Sequence, residues 1–181
     1  MGPLQGGPEA GGPGPAGGPP RGDQDNARRG ERAQVGEAGQ PGGGRGVRRR
    51  GGEAVVDTNL LIYYFFEDQE RRGEAIRVLE GLEIWVVPAV VLMELAWFCR
   101  GIGLGWRETR DLMVSVLMRE EVKVEPLTEE DFLEALSTCG DPLEFEDELI
   151  LAVAERLGLP VATLDSELRE RASSRGVPVL P

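Results

Sequence analysis

Apolar residues follow two alternating patterns along most of the chain, and the alternation begins near residue 53. Short apolar runs rich in β-branched residues predict buried strands, and longer stretches with apolar residues three and four apart predict helices. The strands are predicted at 54–56, 84–87, 122–126, 161–164 and 177–180. A helical pattern fills each interval between them, and Gly or Pro marks most of the helix ends.

Strands and helices that alternate in this way favour an α/β fold. The sheet is predicted to be mostly parallel, with four to five strands and helices on both faces, which makes a three-layer α/β/α sandwich. One helix start is also marked, because Thr128 is followed three residues later by Asp131 in the arrangement of a capping box.

Residues 1–52 lack this patterning. Gly and Pro dominate the segment and aliphatic residues are scarce, so it cannot bury enough apolar surface to offset the entropy of the chain. We therefore predict a disordered Gly/Pro/Arg-rich tail over 1–52, without the apolar stretch of a secretory signal peptide, and one compact domain over 53–181.

The predicted domain is strongly acidic. Residues 53–181 contain 27 acidic and 12 basic side chains, a net charge of −15, while the whole chain carries −12. Such a surface does not attract phosphates by bulk charge, so a nucleic acid must bind through cations or local arginines. Six arginines are candidate phosphate contacts, although solvated helix charges explain them better: Arg71, Arg72, Arg107, Arg110, Arg169 and Arg171.

Several classes of chemistry are excluded by composition. The chain contains no histidine, which rules out Ser-His-Asp and Cys-His catalysis and imidazole-bound zinc. Cys99 and Cys139 have no metal-ligand spacing and are expected to be free thiols of a cytoplasmic protein. The longest apolar run, residues 84–93, is too short to span a bilayer.

Two acids are predicted to end buried strands. Asp57 closes the first strand and Asp165 closes the fourth, and in a doubly wound sheet such strands can be neighbours where ligands bind. Each Asp could instead be the N-cap of the helix that follows it. The sequence leaves both interpretations open.

Two further acids lie among apolar residues of predicted helices. Glu94 shares a helix face with Val90, Val91, Trp97 and Phe98, and a helix that is apolar all round is expected to be buried. Burying an unpaired carboxylate is costly, so Glu94 needs a metal ion or an arginine partner.

The other acid belongs to the first turn of the helix over 145–157. Asp147 lines up with apolar residues of that helix, Glu146 competes for the same role, and either could instead stabilise the helix dipole. Three further acids form a stripe that is predicted to face solvent: Glu144, Glu148 and Glu155.

Acids from four elements can form one cluster. Like charges at short distance disfavour ionisation unless a cation holds them, and ligands that are all oxygen suit Mg²⁺ or Mn²⁺. A metal site of this kind can activate water for attack on a phosphodiester.

The order of four short motifs resembles the PIN-domain nucleases, and most closely the VapC-type toxins of prokaryotic toxin–antitoxin pairs. The motifs are Val-Val-Asp-Thr-Asn-Leu-Leu from Val55, Met-Glu-Leu from Met93, Phe-Glu-Asp-Glu-Leu-Ile from Phe145 and Ala-Thr-Leu-Asp from Ala162. The resemblance covers residues 53–181 and implies an α/β/α fold and Mg²⁺-dependent cleavage of RNA.

The same resemblance assigns roles to individual residues. It implies that an acidic quartet holds the metal and carries catalysis, and it selects Asp147 over Glu146: Asp57, Glu94, Asp147 and Asp165. Thr58, Asn59 and Thr163 match positions that shape the site. It also implies an RNA substrate, a cognate antitoxin and a homodimer.

Other functions remain possible at this stage. A PIN module could bind RNA or a protein without cutting, or could process RNA outside a toxin–antitoxin pair. A haloacid-dehalogenase-type phosphatase requires a second Asp where Asn59 stands. A metal-dependent adhesion module requires hydroxyls where Asn59 and Leu61 stand.

Overall fold

The computed structural model describes residues 51–180. The predicted tail over 1–52 lies outside the described residues, except that Gly51 and Gly52 form the start of the first strand. The elements in chain order are β1 (Gly51–Val56), α1 (Thr58–Phe65), α2 (Arg72–Leu79), β2 (Leu82–Pro88), α3 (Ala89–Gly101), α4 (Trp106–Leu117), β3 (Val122–Glu125), α5 (Glu129–Thr138), α6 (Phe145–Leu157), β4 (Val161–Ala162), α7 (Ser166–Ser174) and β5 (Val179–Leu180).

The five strands form one sheet in the order β3-β2-β1-β4-β5, and every neighbouring pair is parallel. The chain first builds outward from β1 through β2 to β3, and then returns to the other side of β1 to add β4 and β5. The predicted α/β fold with a parallel sheet is confirmed, with five strands. The change of direction makes the β1–β4 boundary the topological switch point, where open α/β sheets bind ligands.

The core is centred on β1 and on α6. Ala54, Val55 and Val56 are fully buried, as expected for a central strand covered on both faces. In α6, six consecutive residues from Leu149 to Ala154 are buried, so this helix is enclosed on nearly all sides. Both elements lead directly to the acidic residues singled out by the sequence.

The predicted capping box is present at the start of α5. Thr128 Oγ1 accepts a hydrogen bond from the Asp131 amide at 3.3 Å, and the Asp131 carboxylate accepts one from the Thr128 amide at 2.8 Å. Cys99 and Cys139 are both free thiols, as predicted. Within residues 51–180 no helix is long and apolar enough to cross a membrane.

Candidate active site

Asp57 and Asp165 lie at the same edge of the sheet. Val56 of β1 pairs with Ala162 of β4, and the Asp57 amide donates a hydrogen bond to the Ala162 carbonyl at 3.2 Å. The chain leaves β4 at Thr163 and reaches Asp165 two residues later. The two acids therefore flank the switch point of the sheet.

The buried Thr163 hydroxyl connects these two acids. Thr163 Oγ1 donates a hydrogen bond to Asp57 Oδ2 at 2.8 Å and accepts one from the Asp165 amide at 2.9 Å. One hydroxyl can do both, because it carries a single proton and two lone pairs. Thr163 thus fixes the Asp57 carboxylate and the backbone of Asp165 relative to each other.

Asp57 is almost completely buried and close to other acids. Its pKa is raised to about 6, mainly by burial and in addition by the charges of Asp147 and Asp165, while hydrogen bonds from Thr163 and the Asn59 backbone oppose the shift. The residue occupies the N-cap position of α1, but this electrostatic environment is far from that of an ordinary exposed cap.

Asp165 is the N-cap of α7, as one interpretation of the sequence expected. Its Oδ1 atom accepts hydrogen bonds from the amides of Glu167 at 2.8 Å and Leu168 at 3.1 Å. Within the described residues its Oδ2 atom has no hydrogen-bond partner. Capping therefore uses one oxygen of Asp165 and leaves the second oxygen for a ligand.

Glu94 of α3 faces α1, where the Thr58 hydroxyl donates a hydrogen bond to its carboxylate. The pKa of Glu94 is raised to about 8, mainly by burial and in addition by contact with Glu146 and the charge of Asp57, against the opposing effect of the Thr58 hydrogen bond. Thr58 thus orients Glu94 as Thr163 orients Asp57. Asn59 is half-buried beside them, where its amide lies near Asp57.

The prediction that α3 is buried on all sides was wrong. Trp97 is 60% exposed and Met93 is 61% exposed, and the buried residues of α3 lie on one face: Val90, Val91, Leu95 and Cys99. Since Glu94 stands at the border of that face, it is half-buried rather than enclosed. Apolar composition alone could not show that one side of α3 remains open.

The first turn of α6 brings two acids to the site. Burial raises the pKa of Asp147 to about 6; the charge of Arg171 opposes this shift, and the charges of Asp165 and Glu146 add to it. Asp147 therefore lies towards the strand-end acids, whereas Glu146 contacts Glu94. Helical patterning could not separate the two residues, and the structure places Glu146 next to two members of the predicted quartet, Glu94 and Asp147.

The prediction that Glu148 faces solvent was wrong. Glu148 is only 5% exposed and forms ion pairs with Arg175 and, at 3.6 Å, with Arg171. Glu155 also pairs with Arg175, and Glu144 pairs with Arg171 at 2.6 Å. This face of α6 is covered by arginines of the C-terminal region, which a helical pattern within α6 cannot reveal.

The predicted quartet consists of acids that are at least partly buried and yet have no ion pair within residues 51–180, whereas the other acids without an ion pair there are exposed. Among residues 51–180 no salt bridge includes Asp57, Glu94, Asp147 or Asp165, although many other carboxylates are paired. Within the same residues, no three acidic or thiol side chains converge closely enough to hold an ion as they stand. An oxygen-only set of unpaired, partly buried acids nevertheless has the donor chemistry that suits Mg²⁺ or Mn²⁺.

These features define an α/β domain with unpaired acids at its switch point, and the comparisons identify the family. The model of the PIN domain family matches residues 54–173. The chain belongs to the PIN-domain family. No curated protein matches it significantly.

Solved structures share the fold at low sequence identity. Mycobacterium tuberculosis VapC20, described as a sarcin-ricin loop cleaving toxin, has a TM-score of 0.57 and 17% identity over 65% of this chain and 94% of that chain. A toxin–antitoxin complex from Klebsiella pneumoniae has a TM-score of 0.51 and 18% identity over 71% and 96%. FitAcB from Neisseria gonorrhoeae has a TM-score of 0.53 and 21% identity, also over 71% and 96%.

In EDTA the protein is expected to lose stability as the pH rises from about 5 to about 8. The pKa values of Asp57 and Asp147 are raised to about 6 and that of Glu94 to about 8, whereas these carboxyls titrate near pH ~4 in an unfolded chain. The folded state therefore binds more protons in this range, so its stability is greatest at the acidic end and falls as the groups ionise. Because the chain lacks histidine, no side chain with an ordinary pKa near 6.5 contributes to the dependence of stability on pH.

Urea unfolding at a series of pH values would measure this dependence. The Asp57→Asn variant should show a shallower fall in the free energy of unfolding, because one of the titrating groups is gone. A parent protein whose stability rises over the same range would contradict the inferred repulsion among the acids.

Proposed function

We propose that the protein is a metal-dependent endoribonuclease that hydrolyses RNA phosphodiester bonds. The observation that carries the proposal is the set of four partly buried acids without ion pairs, which come from four different parts of the chain and lie near one another at the switch point. In a PIN-family domain, this set is the candidate catalytic centre.

The acids would act together in this proposal. Asp57, Glu94, Asp147 and Asp165 would hold Mg²⁺ or Mn²⁺, which when bound supplies activation of water and stabilisation of negative charge. The chain's own contribution is to orient the carboxylates: Thr163 fixes Asp57, and Thr58 fixes Glu94. Since histidine is absent, no imidazole can act as the general base.

We further infer that the protein is the toxin of a toxin–antitoxin pair and acts in the cytoplasm as a homodimer. The inference is supported by the shared fold with VapC20 and with the Klebsiella toxin–antitoxin complex. Co-purification with the product of a neighbouring small gene, and loss of RNA cleavage in that complex, would test the antitoxin partner.

The direct test is cleavage of single-stranded RNA by the purified full-length protein. We expect cleavage with Mg²⁺ or Mn²⁺, complete loss on addition of EDTA, and recovery when excess metal is restored. Cleavage that continues undiminished in EDTA would contradict the metal-dependent mechanism.

A PIN module that binds RNA without cutting is the second candidate. It is favoured by the observation that, in the described part of the chain, no three acids already converge as a metal cage. The same assay separates the two functions, because a binding module would retain RNA in a mobility-shift experiment with Mg²⁺ and leave it intact.

A further inference from the structure

The structure separates the arginines that could contact a phosphate backbone. Arg107 and Arg110 lie on α4, where each is paired with Asp111. Arg171 is paired with Glu144 and Glu148. Within residues 51–180 the side chains of these arginines contact acids and make no hydrogen bond to the segment that carries Asp165, so they are poor candidates for a polyanion site beside it.

Arg71 and Arg169 differ because both are attached to the segment that carries Asp165. Arg71 Nη1 donates a hydrogen bond to the Leu164 carbonyl at 2.5 Å, and Arg169 Nη2 donates one to the Thr163 carbonyl at 2.9 Å. Two guanidinium groups from different parts of the chain therefore meet at consecutive carbonyls beside the candidate active site. Each guanidinium has five N–H donors, and these contacts use only some of them.

A third arginine extends this positive region. Arg71 Nη2 pairs with Glu74 at 2.8 Å, and the charges of Arg77 and Arg169 also lower the pKa of Glu74, so the three arginines lie in one region of the surface. Within the described residues Arg77 has no ion pair. Three positive charges and one negative charge leave an excess of about two positive charges on a strongly acidic domain.

Arg77 and Glu74 border a groove beside the segment that carries Asp165. The groove has a volume of about 300 Å³ and is lined by Glu74, Arg77, Val78 and Leu164. Leu164 directly precedes Asp165 in the chain, so the lining of the groove includes the immediate neighbour of a candidate site residue. We call it the α2 groove, since three of its lining residues belong to α2.

We propose that the α2 groove binds the sugar-phosphate backbone of the RNA strand next to the bond that is cleaved. Arg77 and the remaining donors of Arg71 and Arg169 contact the phosphates. This inference rests on the proposed function and adds the path of the substrate to it. On a domain with a net charge of −15, a polyanion reaches the acidic site only where local cations offset the repulsion.

RNA affinity should be measured in the full-length Asp57→Asn background and in EDTA, so that the RNA stays intact. The probe is a short fluorescein-labelled single-stranded RNA, followed by anisotropy at several salt concentrations. Arg77 is the residue to change, because it is exposed and its replacement breaks no ion pair among the described residues. Arg107 on α4 is the matched control, since it is also an exposed helical arginine.

Arg77→Gln is expected to weaken binding about fourfold near physiological salt and to reduce the salt slope by about 0.7, which is the contribution of one phosphate contact on a single strand. Arg77→Glu should weaken binding more, and Arg77→Lys should restore most of it. Arg107→Gln and Arg107→Glu should each change the affinity less than about twofold, because they alter only the bulk charge.

Equal losses at Arg77 and Arg107, or no loss at Arg77, would overturn the α2 groove as the RNA path. RNA binding too weak to detect in the parent background would overturn it as well. RNA cleavage by the parent protein is scored separately. If the parent protein cleaves RNA but binding does not depend on Arg77, the proposed RNA path is wrong and the proposed nuclease function stands. If binding depends on Arg77 but no cleavage occurs, the RNA path stands and the nuclease function is wrong.

Discussion

Asp57→Asn is expected to reduce RNA cleavage at saturating Mg²⁺ by about a thousandfold or more. A catalytic metal contributes several kcal/mol to stabilising the transition state, and each ~1.4 kcal/mol corresponds to a factor of about ten in rate. Asp57 is the most deeply buried acid of the quartet and the one closest to both strand ends. Its replacement removes one negative charge from the metal site.

The fold should survive this substitution. Asn is nearly isosteric with Asp, its carbonyl oxygen can still accept the Thr163 hydrogen bond, and Asn is as good an N-cap residue as Asp. The loss should therefore appear in kcat while the melting temperature in EDTA stays equal or rises, because one repelling charge is gone.

Cleavage of a labelled RNA under single-turnover conditions would measure the effect. Asp111→Asn is the matched control, since Asp111 is exposed on α4 and contacts only surface arginines. We expect that control to retain at least about half of the parent rate. An Asp57→Asn enzyme that cuts as fast as Asp111→Asn would remove Asp57 from the mechanism.

The other members of the quartet allow graded tests of the same site. Asp165→Asn should also be inactive but folded, because Asn can replace Asp as the cap of α7. Asp147→Asn and Glu146→Gln can be compared directly, since Glu146 lies next to the quartet members Glu94 and Asp147. If Glu146→Gln lost more RNA cleavage activity than Asp147→Asn, the family resemblance would have selected the wrong residue, because it implies that Asp147 rather than Glu146 is catalytic.

The strand-end acids could be predicted from the sequence because the topology of a parallel sheet restricts where they lie. Once Asp57 and Asp165 end two strands of one doubly wound sheet, few arrangements keep them apart. Glu94 and Asp147 became candidates because they lie among apolar residues of predicted helices, and the resemblance to the PIN family then selected Asp147 over Glu146. The bridging hydroxyl of Thr163 was predicted only as a residue that shapes the site, and its two hydrogen bonds became visible with the β1–β4 register.

The errors have a common physical cause. Helical periodicity shows which residues share a face, but it does not show what covers that face. Glu148 was assigned to solvent because its face of α6 is charged, and its partner Arg175 lies 27 residues away. Trp97 was assigned to the interior because it is apolar, and it lies on a side of α3 that the chain leaves open.

Arg175→Met is expected to lower the free energy of unfolding by about 3 kcal/mol or more, because it leaves Glu148 buried without its main partner. The Arg175 side chain, only 12% exposed, pairs with Glu148, with Glu155 and, at 3.2 Å, with Glu134. It therefore ties the C-terminal end of α7 to both α5 and α6. Because Met retains most of the apolar stem of Arg, the decrease in the free energy of unfolding comes mainly from removal of the guanidinium charge.

Glu148→Gln should cost less, about 1–3 kcal/mol, because Arg175 keeps Glu155 and Glu134 while one charged hydrogen bond is weakened. Combining Arg175→Met with Glu148→Leu should recover part of the loss, since a buried pair replaced by apolar residues leaves no uncompensated charge. This replaces the expectation from the helical pattern that Glu148 could be changed without effect.

Urea unfolding of Arg175→Met, of Glu148→Leu and of the variant that combines these two substitutions gives the coupling free energy between Glu148 and Arg175. Arg110→Met is the control, because its pair with Asp111 is more than half exposed on both sides and should contribute less than about 1 kcal/mol. If Arg175→Met were no more destabilising than Arg110→Met, Glu148 would be solvated in solution as its pattern suggested. A large loss would instead show that these ion pairs hold α6 and α7 together, and with them Asp147 and Asp165 at the candidate active site.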